Sequence, residues 1–280
     1  MTIKRILFRA LVRTLEFFTL VKKPILMLNL TLEPLSSKSV DIITVAFNNV
    51  ELIRYQSQFL RKFLCDEYCH IIVDNSTDDN ARLQLQQWCS KEKLAYVGLP
   101  KNYLNWVGAS YSHAAALNYT YKHIVKERQP FIFGQIDHDL FPITKMSILN
   151  KLQNQPIYGP LRLRDKCWYL SAIMSFFRYD YVREKKVDFM PVTPDKFYLD
   201  SGGGNWYSLY SSLDLNKLNF PTECIEPLRD GGDRHGDSLE YFDDKSWLHT
   251  INGSCWKEVD DQKGKDNQVR IFLDRMLEIS

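Results

Sequence analysis

Between residues 40 and 139 the chain repeats one theme, a short β-branched run, a polar break and then a helical pattern. Val40-Asp-Ile-Ile-Thr-Val-Ala-Phe47 breaks at Asn48-Asn49, residues that turn the backbone and cap a helix. From Val50 to Leu64 the period changes to that of a helix, with Leu52, Ile53, Phe59, Leu60, Phe63 and Leu64 on one side. His70-Ile-Ile-Val73 is a second strand ending in Asp74-Asn-Ser-Thr-Asp78, with a helix expected over Ala81 to Trp88. Leu94-Ala-Tyr-Val97 is a third, ending near Leu99-Pro-Lys-Asn102. An Ala-rich helix is then expected from Gly108 to Val125, before a fourth strand that opens at Phe131.

Strands alternating with helices in this way imply right-handed βαβ units, and so a mainly parallel sheet flanked by helices. Ligands on such sheets bind at the carboxyl ends of the strands. That rule collects Ala46-Phe47-Asn48-Asn49, Asp74-Asn75-Ser76, Lys101-Asn102 and Asp137-His138-Asp139 onto one rim. Asp137 and Asp139 offer paired oxygen ligands for a hard divalent cation, and a cation there can carry a diphosphate. The competing reading of this tripeptide is a solvated turn.

Taken in order, Val-Ala-Phe-Asn at 45–48, Val-Asp-Asn-Ser at 73–76, Lys-Asn at 101–102, Gly-Ala-Ser at 108–110 and Asp-His-Asp at 137–139 resemble the GT-A fold glycosyltransferases. The chain is most similar to family 2 and its rhamnosyltransferase-like relatives, over about residues 40 to 142 and more weakly to about residue 256. The resemblance implies a GT-A (Rossmann-like) α/β fold with a mixed, mainly parallel sheet. It also implies a nucleotide-sugar site built from Ala46, Phe47, Asn48, Asp74, Asn75, Ser76, Lys101, Asn102, Gly108, Asp137 and His138, with Asp74 on the base and Phe47 helping to form the base pocket. Mn²⁺ or Mg²⁺ would be held by the Asp-x-Asp, Asp139 most directly. His138 departs from the smaller or acidic residue usual between the two acids.

A sugar leaving a nucleotide diphosphate deposits charge on the β-phosphate, which a dication neutralises as it develops. The acceptor hydroxyl must also lose a proton, and in an inverting transfer a carboxylate takes it. Asp200, at the end of Phe197-Tyr-Leu-Asp200 and ahead of Ser-Gly-Gly-Gly204, is the candidate base. It lies in the segment where family 2 enzymes carry a Glu-Asp pair, with Leu199 in place of the Glu. The other reading makes it an N-cap for a helix through Asn205–Tyr210, with the glycines as a hinge. Asp243 and Asp244 stand in reserve. His249 is the third metal ligand that the resemblance implies, and its alternative is a structural histidine beside the Asn252-Gly253 turn. His235, in the Gly-rich 231–236 segment, competes for that role.

Cys65 and Cys69 have no second Cys or His pair at zinc spacing, so the six cysteines are expected as reduced thiols. The aromatic runs Cys167–Leu170 and Phe176–Tyr179 suit either core packing or an acceptor platform. Asn29, Asn75, Asn118 and Asn252 fit the glycosylation triplet, but Asn75 falls inside the expected site, which argues for a cytoplasmic location.

Charge is uneven: residues 1–30 carry a side-chain net of +5, against −3 for the other 250. Apolar residues lie between those charges, with no unbroken run long enough to span a bilayer. Residues 1–32 are expected as a basic amphipathic helix, either on an anionic membrane face or packed on the rest of the chain. Residues 33–39 form a linker, 40–142 the nucleotide-sugar half and 143–280 the acceptor half.

The expected function is metal-dependent, inverting transfer from a nucleotide-diphosphate sugar to a glycan or lipid-linked glycan acceptor. A nucleotidyltransferase needs a Gly-rich phosphate loop after the first strand, which Phe47-Asn-Asn-Val50 is not. A catalytically silent nucleotide-sugar-binding protein is the other alternative. Nucleic-acid binding is disfavoured because the basic residues cluster at the apolar N-terminus.

Overall fold

The computed structural model describes residues 3–35, 38–194, 196–228, 238–251 and 262–279. Helix α1 (Ile3–Leu20) leads to β1 (Leu26–Leu28), then β2 (Val40–Ala46), α2 (Val50–Phe63), β3 (Tyr68–Asp74), α3 (Asp79–Glu92), β4 (Ala95–Gly98) and α4 (Ala109–Thr120). A π-helical turn, Tyr121–Val125, extends α4 towards β5 (Ile132–Ile136). After β5 come β6 (Leu140–Pro142), β7 (Ile157–Tyr158), β8 (Leu161–Arg164), β9 (Cys167–Leu170), β10 (Met174–Arg178), β11 (Glu223–Pro227), β12 (Ser238–Phe242) and β13 (Trp247–His249), and a helix spans Gln262–Ile279.

The main sheet has seven strands in the order β1-β4-β3-β2-β5-β10-β7. Its centre, β4-β3-β2-β5, is parallel as the βαβ pattern requires, and the outer strands β1, β10 and β7 add antiparallel pairings. All seven residues of β2 are buried, the mark of a central parallel strand covered on both faces. Helix α2 starts where expected, with the Asn49 side chain accepting from the Leu52 amide, and Asp78 caps α3 in the same way through Ala81. This is the mixed, helix-flanked α/β sheet that the strand pattern predicts.

The chain's halves are interleaved. Strand β1, from within residues 1–32, forms one edge of the main sheet, while β10 and β7 reach it from beyond residue 142. Conversely β6 leaves to join a second, antiparallel sheet, β11-β12-β13-β6. A division at residue 142 therefore marks no boundary between separate cores.

Asn205–Tyr210 forms no α-helix; a four-residue 3-10 turn, Gly203–Trp206, stands there, because this chain is pinned to its neighbours rather than coiled on itself. The Gly202 and Gly204 amides donate to the Phe189 and Met190 carbonyls, and a Cβ on Gly204 would come within 2.6 Å of the Asp188 carbonyl oxygen. The glycines are thus close-packing positions, not a hinge. The aromatic runs are core: Cys167–Leu170 is buried throughout, and Trp168 stacks on Tyr210 at 5.0 Å. The five described cysteines form no disulfide, as expected, while Cys255 lies outside the described residues.

Helix α1 packs on α4 through Val12, Glu16 and Thr19. Arg13 bridges Glu16 and Asp188, and the Asn118 amide reaches both acids. Burial alone would push Asp188 up, but the Arg13 guanidinium outweighs it and holds the carboxyl below the usual carboxylate range.

A second buried carboxylate, inside β2, is paired in the same way. Asp41 has no exposed surface and accepts two hydrogen bonds from Arg128, at 2.7 and 2.9 Å. Truncating Arg128 leaves a buried carboxylate without its cation, so Arg128→Ala should cost about 3–5 kcal/mol in urea unfolding. A loss below about 1 kcal/mol would show that the pair does not anchor the sheet.

Candidate active site

Strand β5 ends at Ile136, and the next three residues carry the chain from one sheet to the other. Leu140 N–H closes the turn on the Asp137 carbonyl at 3.1 Å, and Asp137 N–H donates to Ile173 at 2.8 Å. The buried Gln56 amide on α2 clamps the turn, donating to the Asp137 carbonyl at 2.7 Å and the Leu140 carbonyl at 2.8 Å. Gln56 is itself oriented by Thr44, whose hydroxyl donates to it at 2.7 Å and meets His70 Nε2 at 3.0 Å. Burial pushes His70 down to about 3, so this ring is neutral and donates from Nε2. The Asp137–Asp139 turn therefore hangs from a polar chain running through the first two strands of the parallel sheet.

Strand pairing brings His249 to this turn. Strand β13 pairs with β6 so that His249 lies opposite Leu140, and β12 pairs with β13 so that Glu240 lies opposite His249. Thr250 N–H then donates to the Asp139 carbonyl at 3.0 Å. His249 Nε2 stands 3.2 Å from Asp139 Oδ1, and Nδ1 stands 3.0 Å from Glu240 Oε2. Ligand atoms of Asp137, Asp139 and His249 all lie within 4.8 Å of one another. Burial would push His249 down, but Asp139 and Glu240 on its two nitrogens outweigh it and raise it to about 10.

This donor set fits a divalent cation that accepts both oxygen and nitrogen, Mn²⁺ more readily than Mg²⁺. Asp137 is partly exposed and Asp139 buried, so the cluster has one open side. Glu240, which no motif in the sequence singles out, holds the far nitrogen of His249 as a carboxylate does behind many metal-bound histidines. The available signal was the four-residue loop 243–246, which sets Phe242 against Trp247 and therefore Glu240 against His249.

Asp200 stands on the loop after Leu199, within electrostatic reach of His113. Its carboxylate accepts from Ser201 N–H at 2.8 Å, and Tyr198 offers its hydroxyl at a longer 3.4 Å. Ser201 donates to the Ser110 carbonyl at the start of α4, tying this loop to the rim. His113 on α4 is within electrostatic reach of Asp137, His138 and Asp200, and burial leads the causes that push it down. Buried Nε2 atoms of His113 and His138 have no hydrogen-bond partner among the described residues. Asp243 and Asp244, the reserve candidates, sit in the hairpin loop between Phe242 and Trp247, Asp243 paired with Lys151 at 2.7 Å and Asp244 held by Thr222 at 2.9 Å. His235 and the 231–236 segment, with Asn252, lie outside the described residues.

The remaining rim residues are gathered as expected, but most are turned towards one another. Asp74 has no exposed surface; its oxygens accept from Ser76 N–H at 2.9 Å and from the Tyr96 hydroxyl at 2.7 Å, with Arg82 4.0 Å away. A base contact by this carboxylate therefore requires one of those partners to move. Asn75 and Asn102 share a buried network with Ser112. Asn48, at φ 53°, accepts from the Thr77 and Asp78 amides, and its own N–H donates to Ser76. These side chains knit the loops; Phe47 and Gly108, where α4 begins, are half-buried, Lys101 is exposed and Ala46 is buried.

No protein-family model matches the chain, and no curated protein matches it either. Among solved structures it is similar to the bifunctional glycosyltransferase WbbM, at 11% identity and TM-score 0.36, over 52% of this chain and 32% of that one. It is also similar to the mannosyltransferase PcManGT from Pyrobaculum calidifontis in complex with GDP-Man and Mn²⁺, at 14% identity and TM-score 0.40, over 64% and 56%. The galactosyltransferase LgtC, with donor and acceptor sugar analogues, matches at 12% identity and TM-score 0.36, over 50% and 58%. The chain thus spans between a third and three fifths of these glycosyltransferases. Likeness of this size is partial, and the functional reading rests on the site's own geometry.

Glu240 and the His249 proton give two measurable consequences. Glu240→Gln should weaken Mn²⁺ binding about 10- to 100-fold by calorimetry while the fold persists. A cation must also displace the proton that His249 keeps up to about pH 10, so apparent Mn²⁺ affinity should rise with pH, approaching tenfold per unit between about pH 7 and 9. Affinity that is flat across that range would remove His249 from the ligand set.

Proposed function

We propose that the chain is a metal-dependent, inverting glycosyltransferase that moves a sugar from a nucleotide-diphosphate sugar to a glycan or lipid-linked glycan acceptor. The observation that carries this reading is the cluster Asp137, Asp139 and His249 at the carboxyl edge of a parallel sheet, with both Asp137 and Asp200 within electrostatic reach of His113. Asp137, Asp139 and His249 would hold Mn²⁺ or Mg²⁺. Bound there, the cation supplies neutralisation of the charge that builds on the leaving diphosphate.

The chain's own groups perform the rest. Asp200 takes the proton from the acceptor hydroxyl as its oxygen bonds to the anomeric carbon, and the bond from that carbon to the diphosphate oxygen breaks on the opposite side. Ser201 N–H and the Tyr198 hydroxyl fix the carboxylate's orientation. His113 and His138 carry buried ring nitrogens without a described partner near this cluster, which would meet sugar hydroxyls only if the chain covering them moved. Phe47 offers an apolar face to the base, Lys101 a cation to the phosphates, and Gly108 an approach to the N-terminus of α4. Ala46, Asn48, Asp74, Asn75, Ser76 and Asn102 shape that site by holding its loops.

The two carboxylate roles fail differently when removed. Asp200→Asn should lower kcat about a hundredfold or more while the donor's Kd moves little. Asp139→Asn should abolish transfer and also the Mn²⁺-dependent part of donor binding. UDP-, GDP- and dTDP-sugars, screened by thermal shift with Mn²⁺, identify the donor for both assays. Near-normal turnover in Asp139→Asn would overturn the proposed function, and near-normal kcat in Asp200→Asn would overturn only the base.

A further inference from the structure

Helix α1 has two faces of opposite character. Its inward face is anchored by Val12, Glu16, Thr19 and the Arg13 ion pairs. Its outward face carries Ile3, Leu7, Leu11, Phe17, Phe18 and, just past its end, Val21, each between 45 and 76% exposed. A helix already fixed on one side needs no second apolar stripe in order to fold, so this stripe is an unpartnered surface. Exposed Lys4, Arg5, Lys22 and Lys23 stand at its two ends, in the segment whose net charge of +5 opposes the −3 of the remaining chain. Apolar stripe and basic ends together match an anionic lipid surface, which accepts both. No described helix is long and apolar enough to cross a membrane, so the arrangement is that of a helix lying in the interface.

The same helix borders the candidate base. Phe8 meets Tyr111 edge-on at 5.7 Å, and the Tyr111 phenol is within electrostatic reach of both Asp200 and Arg9. Arg9 donates to the Thr193 carbonyl at 2.9 Å, and neighbouring Val192 bridges to Leu199, next to Asp200. A surface lying against α1 would therefore meet the protein beside the loop that carries Asp200.

We propose that α1 docks on an anionic lipid surface through its outward stripe, and that the acceptor is a glycolipid presented from that surface to Asp200. The second half rests on the glycosyltransfer reading above; the first half does not. The test uses the full chain with phosphatidylcholine vesicles, with and without phosphatidylglycerol. Wild type should cosediment with the mixed vesicles at least about tenfold better than with phosphatidylcholine alone, and the difference should shrink as salt rises. The double variant Leu7→Glu/Phe17→Glu should lose that binding while keeping its melting temperature. Lys4→Glu/Arg5→Glu provides a second variant that leaves the apolar stripe in place, and it should lose the preference for anionic vesicles. Absence of wild-type vesicle binding, or a light-scattering dimer that Leu7→Glu/Phe17→Glu converts to monomer, would overturn docking in favour of a second copy of the chain. For the acceptor, labelled UDP-, GDP- and dTDP-sugars are incubated with enzyme and vesicles of a membrane lipid extract. Label in the organic phase, lost with Leu7→Glu/Phe17→Glu, supports a glycolipid, and label only in water-soluble glycans overturns it. Vesicle binding without label in either phase would strike down the transfer reading, and the acceptor half with it, while docking stands.

Discussion

The site depends on one turn, Asp137 to Leu140, where the chain passes from the seven-stranded sheet into the four-stranded one. Residues of both sheets meet at the candidate site because hydrogen bonds hold this turn between them. The Gln56 amide fixes it from above, and the Ile173 carbonyl accepts its leading N–H. Gln56, Thr44, Ser57 and His70 are all buried polar groups, each with partners, so the support is a satisfied network rather than a strained one. From that fixed turn, the pairing of β6 with β13 determines where His249 stands, and the pairing of β13 with β12 determines its second carboxylate. A slip of one residue in either register would turn His249 to the opposite face of the sheet.

The strand ends at Phe47, Asp74, Lys101 and Asp137 are legible in the sequence because βαβ units have a strong local signature and parallel sheets concentrate polar residues at one edge. What those polar residues do there is not legible in the same way. Asn48, Asn75 and Asn102 have the composition of a ligand-binding rim, yet their amides are used up by neighbouring loops, a matter of side-chain direction that spacing does not encode. Asp74 illustrates the point most clearly. Its position follows from the strand, but the Tyr96 hydroxyl that occupies it comes from the adjacent strand. Glu240 was hidden for a related reason. It sits in an ordinary alternating strand, and its importance appears only when the hairpin register sets it against His249. The glycines at 202–204 invite a hinge from sequence alone, whereas the backbone at Gly204 is pressed against residues 188–190 too closely for a Cβ.

That close approach ties the base to the N-terminal helix. Gly204 contacts Asp188, Asp188 pairs with Arg13 of α1, and Asp200 lies just ahead of the glycines. The loop carrying the candidate base is thus set between α1 on one side and the start of α4 on the other. The basic, apolar N-terminal segment, which reads in sequence as a helix on a membrane face or a packed one, packs on α4 through its inner face and pairs Arg13 with Asp188 beside the candidate base loop, while its outer face is exposed.

A stable core does not require an imidazole ringed by acids at one edge of a sheet, and the arrangement around His249 shows what it costs. Asp139 and Glu240 are both buried, one on each ring nitrogen of His249, and Arg162 also stands 3.7 Å from Glu240. The proton on His249 therefore stabilises the folded state fully below its unfolded value of 6.5, and that contribution fades as pH rises through about 10. Below that limit the proton holds the carboxylates in place, and a dication between Asp137, Asp139 and His249 would bring positive charge to the Asp139 side of the ring in its stead. The cluster's carboxylates and imidazole are thus already aligned in the folded chain, so a cation taken up there would replace a proton instead of assembling the site.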